Sequence, residues 1–260
     1  MKGEVALITG ASSGIGAELA KLAAADGCDL VLVARSRAQM QALADELTQR
    51  HGISVRVLPK DLSDVRVPQE IFDELAAAGL DVDILINNAG FALYGSLWRN
   101  DNKALLDLMQ VNMVALTELC RLFLPQMVER GHGRVLNVAS LAAFQPGPLM
   151  AAYYASKAYV LSLSDAVANE LRGTGVTLTA LCPGMTRTRF AQRAGLDLSG
   201  LSKVAGADAE SVARAGYRGM MRGKTIVLPG LLNRVVALST RIVPRRIVTA
   251  IARALHERVA

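Results

Sequence analysis

The chain has 260 residues, 52% of them hydrophobic, and a formal net charge of +6. That length and apolar content suit a single domain over residues 1–260 built on one large core. They argue against a membrane span, because the longest apolar stretches, such as Ile226 to Leu232, are strand-length or broken by Pro and Gly. Cys28, Cys120 and Cys182 are scattered and share no metal-ligand spacing with one another or with His51, His132 and His256, so no metal is expected and a reduced, cytoplasmic setting fits best.

Short runs of Val, Ile and Leu alternate with helix-length amphipathic stretches along the chain. Strands are expected at Glu4 to Thr9, Asp29 to Val33, Ser54 to Leu58, Asp83 to Ile86, Arg134 to Val138, Val176 to Leu181 and Thr225 to Leu228. The first begins almost at Met1, which leaves no room for a signal peptide and predicts a soluble protein. Between the strands lie helical patterns, for instance Arg37 to Gln49, where Ser36 can cap and Gln39 can reciprocate. Continuous apolar strands suit a sheet covered on both faces, and right-handed crossovers then give an α/β, doubly wound parallel sheet of about seven strands. Ligands bind such sheets beyond the carboxyl ends of the strands.

The strand ends collect the residues that carry chemistry. Gly10, Gly14 and Gly16, with Ser12, Ser13 and Ile15 between them, follow the first strand and open a helix, which lets a diphosphate approach free N–H groups. Arg35 stands nineteen positions beyond Gly16, where an acid would bind adenosine ribose; with Ser36 and Arg37 beside it, NADP is favoured and NAD is the second choice. Asp61 and Leu62 end the third strand, and Asp61 reads as a contact to adenine or, almost as readily, as a turn former. Asn87, Asn88, Ala89 and Gly90 end the fourth strand, with amides to tie strands together and small residues to admit a flat ring. Ser140 ends the fifth, able to polarise a carbonyl or to cap a turn.

Tyr153 and Lys157 stand four apart on a helix, so the ammonium can favour the ionised phenol; work near neutrality asks for a shift of roughly two to three units from the ordinary ~10, which the ammonium together with a cationic nicotinamide could supply. Tyr154 lacks such a lysine and reads as packing or pocket lining. Asn112 is a poor helix former inside a helical stretch, and it reads either as a kink or as the holder of a water in a proton path. Pro183 and Gly184 end the sixth strand, with Thr186 and Thr188 in reach of a nicotinamide carboxamide or phosphates. Cys182 reads as a buried small hydrophobe.

Taken in order and spacing, these motifs resemble those of the short-chain dehydrogenase/reductase family, from the first strand to about Thr188. The resemblance implies a Rossmann fold, a catalytic tetrad of Asn112, Ser140, Tyr153 and Lys157, and a homodimer or homotetramer. Tyr153 would donate the proton, Ser140 bind the carbonyl, Lys157 hold the nicotinamide ribose and Asn112 anchor a water. Val33 to Ser36 and Asn87 to Phe91 resemble ketoreductase-like members acting on 3-oxoacyl chains and hydroxysteroids. Ser13 departs from the basic residue that NADP-preferring relatives often carry in the glycine turn, which implies incomplete discrimination against NAD.

The expected activity is NADPH-dependent reduction of a carbonyl to an alcohol, with a catalytically idle NADP-binding regulator as the alternative. Substrate walls are expected from Phe91 to Leu97, Leu141 to Met150 and a lid near 189–207. Phe91, Leu93, Phe144, Leu149 and Met150 read equally as the walls of an apolar substrate site or as packing against the lid. From Leu201 onward there are 11 Lys and Arg against 3 Asp and Glu, a balance of +8 that leaves −2 for the remainder. This basic tail, with helices over 231–260, reads first as a solvated helix face, and as an alternative could meet an acidic carrier protein. Its lack of interleaved aromatics argues against nucleic acid. Packing or subunit contact ranks above membrane contact for Leu231 to Arg246.

Overall fold

The computed structural model describes residues 2–187, 206–240 and 242–257. The expected lid at 189–207 therefore lies almost wholly outside the described residues, as does Thr188.

Seven parallel strands form the main sheet: β1 Val5–Thr9, β2 Asp29–Ala34, β3 Val55–Pro59, β4 Ile84–Asn87, β5 Gly133–Val138, β6 Val176–Leu181 and β9 Ile226–Val227. Their order is β3-β2-β1-β4-β5-β6-β9. The chain runs outward from β1 to β3 and then returns to place β4 on the other side of β1. That reversal opens a crevice at the carboxyl ends of β1 and β4. A separate ladder pairs β7 Thr186–Arg187 with β8 Ala207–Asp208. Every expected strand is present, within about a residue at each end; β9 is cut to two residues, Ile226 and Val227, paired with Ala180 and Leu181 of β6.

Alternation explains why the strands are apolar on both faces. Val5 and Leu7 join Val31, Leu85 and Val135 in one core, under helices α3 Val67–Ala77, α5 Ala115–Arg130 and α6 Ala151–Glu170. Ala6 and Ile8 join Leu30, Leu32, Ile84, Ile86 and Leu136 in the other, under α1 Gly14–Ala25, α2 Arg37–His51 and α7 Ala209–Met221. A one-residue slip of β1 would exchange the two sets, so its register is strongly specified. Two further helices, α8 Leu231–Ser239 and α9 Arg245–Glu257, complete the described chain.

Ser36 does occupy the N-cap of α2, but its side chain makes no capping hydrogen bond, so the expected reciprocal cap with Gln39 is corrected. Side-chain caps occur instead where aspartate precedes the helix. Asp101 accepts from the Ala104 N–H at 2.8 Å before α4 Asn102–Met109, and Asp208 accepts from Ser211 at 2.7 Å before α7. Between α4 and α5 the chain makes a π-helical turn, Gln110–Val114, with buried Asn112 at its centre. The irregularity that a mid-helix asparagine suggested takes the form of this π turn. Such turns insert an extra residue into a helix and recur at functional sites.

Candidate active site

The glycine turn is locked against the end of β4. Asn88 Nδ2 donates to the Thr9 and Gly10 carbonyls at 3.0 and 3.2 Å. The Thr9 hydroxyl accepts from the Asn88 and Ala89 N–H groups at 3.0 and 3.1 Å. Gly10 has φ +67, and a Cβ on Gly16 would stand 2.4 Å from both the Gly10 carbonyl oxygen and Asn88 Nδ2. Only glycine permits that close approach. Ser13 holds the N-cap position of α1 without using its hydroxyl to cap, so the first-turn N–H groups keep their capacity for an anion. Gly10, Ser12, Ser13 and Gly14 thus form a turn that can take a dinucleotide diphosphate, while the half-buried Ile15 packs against the second core.

The ends of β2 and β3 bring Arg35 and Asp61 together, guanidinium to carboxylate at 4.0 Å, with the arginine side chain 73% exposed. A pair so open contributes little to stability and leaves Arg35 available to a phosphate. Asp61 also forms the turn that its type suggests, accepting from the Ser63 N–H and hydroxyl at 3.0 and 2.9 Å. Leu62 is buried in the first core, so a ligand can meet only its backbone. The half-buried Ser36 lies next to Arg35 with its hydroxyl uncommitted to a cap.

At the centre, β5 delivers Ser140 and α6 delivers Tyr153, Ser156 and Lys157. Lys157 is buried and donates to the Val138 carbonyl at 2.8 Å; its Nζ stands 5.9 Å from the Tyr153 ring centre. Gly90 closes this space, since a Cβ there would stand 3.1 Å from Asn112 Oδ1 and 3.4 Å from Lys157 Nζ. Asn112 Oδ1 accepts from the Phe91 N–H at 3.0 Å, while its Nδ2 donates to the Phe91 carbonyl at 2.9 Å and to Ser156 Oγ at 3.0 Å. The π turn therefore anchors the Phe91 backbone to α6. Ser156 in turn donates to the Tyr153 carbonyl at 2.7 Å.

Burial pushes the Tyr153 phenol up to about 12, and its hydrogen bond with Ser140 works against that rise without overcoming it. Lys157 alone therefore does not supply the expected lowering. The spacing put a cation on the right face, but desolvation disfavours the phenolate more strongly, and the same burial brings Lys157 down to about 8. Near neutrality the phenol is therefore neutral and the lysine still largely an ammonium, though one that burial makes easier to discharge.

Pro183 and Gly184 follow β6. The Pro183 carbonyl accepts from the Leu141 N–H at 2.8 Å, and the Thr186 hydroxyl donates to the Gly184 carbonyl at 3.0 Å. Cys182 is fully buried with its thiol pushed up to about 12, as befits a small hydrophobe. Of the expected substrate walls, Phe91 and Leu93 pack around Tyr153 with buried Met150. Leu149 adopts φ +65, a conformation that leucine rarely takes, and its carbonyl accepts from the Gly95 N–H at 2.8 Å.

Several partners escape a reading of the sequence. Asn87, Asn137 and Ser164 form a buried chain of hydrogen bonds, 2.9 and 3.0 Å long, behind the site. Tyr154 meets His256 Nε2 at 2.9 Å, with His256 Nδ1 donating to the Pro148 carbonyl at 2.7 Å. Tyr154 also lines a cavity of about 690 Å³ with Phe144, Gln145, Pro148, Thr240 and Arg245, on the side of α6 away from Lys157. Ser156 could have been found, because positions 153, 156 and 157 share a helix face.

The pattern of the short chain dehydrogenase family matches residues 4–198. The chain belongs to that family. Among curated proteins it is similar to the ketoacyl reductase HetN of Nostoc sp., 33% identical over 71% of this chain and 64% of that protein, just under two thirds of its length. Two solved structures share the fold over most of both chains. One is a short-chain dehydrogenase from Sphingobium yanoikuyae in complex with NADPH, 35% identical, with TM-score 0.84 over 92% of this chain and 93% of that one. The other is the bulky-bulky ketone specific alcohol dehydrogenase from Comamonas testosteroni, 31% identical, with TM-score 0.80 over 92% of both. As a short-chain dehydrogenase, the chain has the doubly wound sheet that its strand pattern implied. No described helix is long and apolar enough to cross a membrane.

Proposed function

We propose that this short-chain dehydrogenase is an NADPH-dependent carbonyl reductase, reversible as an alcohol dehydrogenase. The observation that carries the reading is the convergence of Ser140, Tyr153 and Lys157 within one partly enclosed site at the crevice, next to the glycine turn. The ketoacyl reductase and ketone-specific relatives support the reaction class, and the NADPH complex of the Sphingobium relative supports the cofactor.

A bound nicotinamide dinucleotide supplies the hydride. The protein's own groups do the rest. Ser140 donates a hydrogen bond to the substrate oxygen and polarises the carbonyl. Tyr153 holds the proton that this oxygen takes up, and its phenol, kept protonated near neutrality by burial, is in the form that donates. Lys157 has used one of its three donors on Val138, leaving two for ribose hydroxyls or water. Asn112 keeps the Phe91 loop fixed to α6; any water in a proton path would share this space with Gly90 and Lys157. Phe91 and Leu93, with Met150, make an apolar wall suited to a bulky ketone or an acyl chain.

Oxidation of NADPH and NADH by the purified protein, across ketones, steroids and 3-oxoacyl thioesters, tests the reading. Turnover faster with NADPH is expected. Tight binding without turnover on any class would leave an idle NADP-binding regulator. Arg35→Ala should weaken selection of NADPH over NADH about tenfold, the worth of one exposed phosphate contact; an unchanged ratio of kcat/KM values would remove Arg35 from cofactor choice.

A further inference from the structure

The C-terminal helices bury less apolar surface than they carry. On α8, Leu231, Val235 and Leu238 recur at helical spacing, and all are more than half exposed. On α9, Val248 and Ala252 are buried, while Ile247, Ile251 and Leu255 form a second stripe beside them, also at least half exposed. At about 100° per residue, α9 therefore shows three sectors: one packed on the body, one apolar and open, and one carrying Arg246, Thr249 and Arg253. Ile242, between the two helices, is 85% exposed. A monomer that folds for water alone rarely leaves so many large aliphatics together.

Cations border this surface. Arg234, Arg245 and Arg246 are exposed, and among the described residues Arg245 and Arg246 lie in no ion pair, whereas Arg253 is paired with Glu257 at 2.8 Å. Glu257 is the one acid on either helix. The surface also continues toward the catalytic edge. The Tyr94 hydroxyl donates to the His256 carbonyl of α9 at 3.3 Å, and the short helix Leu97–Arg99 that follows carries Trp98, 84% exposed.

From this juxtaposition of open aliphatics, bordering arginines and an exposed tryptophan, we propose that α8 and α9 dock this short-chain dehydrogenase peripherally on an anionic lipid surface. Helices with an apolar face and a cationic border lie in the plane of a bilayer interface, with tryptophan at headgroup level. A second copy of the chain is the poorer occupant. A two-fold contact through this face would join two copies of the same cation-rich border, with only one acid, Glu257, on these helices of each copy to offset it. Anionic headgroups complement the same charges. The sequence alone ranks packing above membrane contact for this segment, and the exposure of both stripes reverses that order. The inference does not depend on the carbonyl chemistry proposed above.

Flotation of the full chain with phosphatidylcholine vesicles, with and without phosphatidylglycerol, tests it without any activity readout. The protein should float with the anionic vesicles and be released by salt. Replacing both arginines, Arg245→Gln with Arg246→Gln, should lower partitioning about 25-fold, at roughly fivefold per arginine. The triple substitution Ile247→Asn, Ile251→Asn and Leu255→Asn should abolish it, with circular dichroism confirming the fold; were that variant to misfold, the arginine pair decides alone. Two outcomes overturn the proposal. One is failure to float with either vesicle, accompanied by a dimeric mass in solution that the triple substitution reduces to a monomer. The other is partitioning indifferent to both lipid charge and the arginines.

Discussion

The carboxyl edge of the sheet and the two C-terminal helices solve opposite problems. At the edge, buried and half-buried polar groups are tied to named partners: Asn88 to Thr9 and Gly10, Asn112 to Phe91 and Ser156, Lys157 to Val138. In the helices, Leu231, Ile247 and Ile251 face solvent while Arg245 and Arg246 stay open. A site that must hold reacting atoms in one geometry uses bonds that each fix a direction. A surface that meets a fluid partner needs area and charge but no such precision. Disturbance at the edge should therefore be felt throughout the fold, and disturbance in the tail should be felt only by what the tail meets.

The largest effect on stability should come from the buried ammonium. Lys157 sits at about 8 in the folded protein against an ordinary 10.5, so between those values the unfolded chain holds the proton and the folded one does not. Stability contributed by this group therefore rises with pH across that window, by at most about 3 kcal/mol. Denaturant midpoints of the wild type and Lys157→Met, compared at pH 8 and pH 10.5, should shift relative to each other in the wild type's favour. Parallel behaviour would mean that the lysine is solvated. Gly16→Ala comes next. Its Cβ would collide with the Gly10 carbonyl oxygen at 2.4 Å, backbone that cannot rotate away, for a loss of about 2 kcal/mol and weaker dinucleotide binding by fluorescence titration. Ile251→Asn, in the open stripe of α9, should change the unfolding midpoint by less than about 0.5 kcal/mol. A large loss there would show that the stripe is packed, and the contrast between the two regions would fall.

The sequence revealed the edge well and the tail poorly, for physical reasons. Strand runs such as Val5 to Thr9 and Ile84 to Asn87 are legible because both faces are buried, and the glycines because the turn tolerates nothing larger. Tyr153 and Lys157 declare their common face through helical spacing. The direction of the Tyr153 shift was not legible, since burial depends on the loops that close over the phenol and not on its neighbours in sequence. Nor was the partnership of Tyr154 with His256, 102 residues away. The π turn announced itself only through one awkward asparagine. Ser36 looked like a helix cap from its type and position, yet its hydroxyl does not close the bond. The arginines and aliphatics of the tail were visible as residues, but which of them face outward depends on how α8 and α9 lie on the body.

The most direct test of the proton-donor assignment is Tyr153→Phe, measured as single-turnover NADPH oxidation with a ketone that the wild type reduces, alongside NADPH binding. Phenylalanine keeps the ring that packs with Met150 and Ala142 and removes only the hydroxyl. With Tyr153 as the donor, binding should persist and the rate should fall about a thousandfold or more. A rate within a few fold of the wild type, with NADPH still bound, would contradict the assignment.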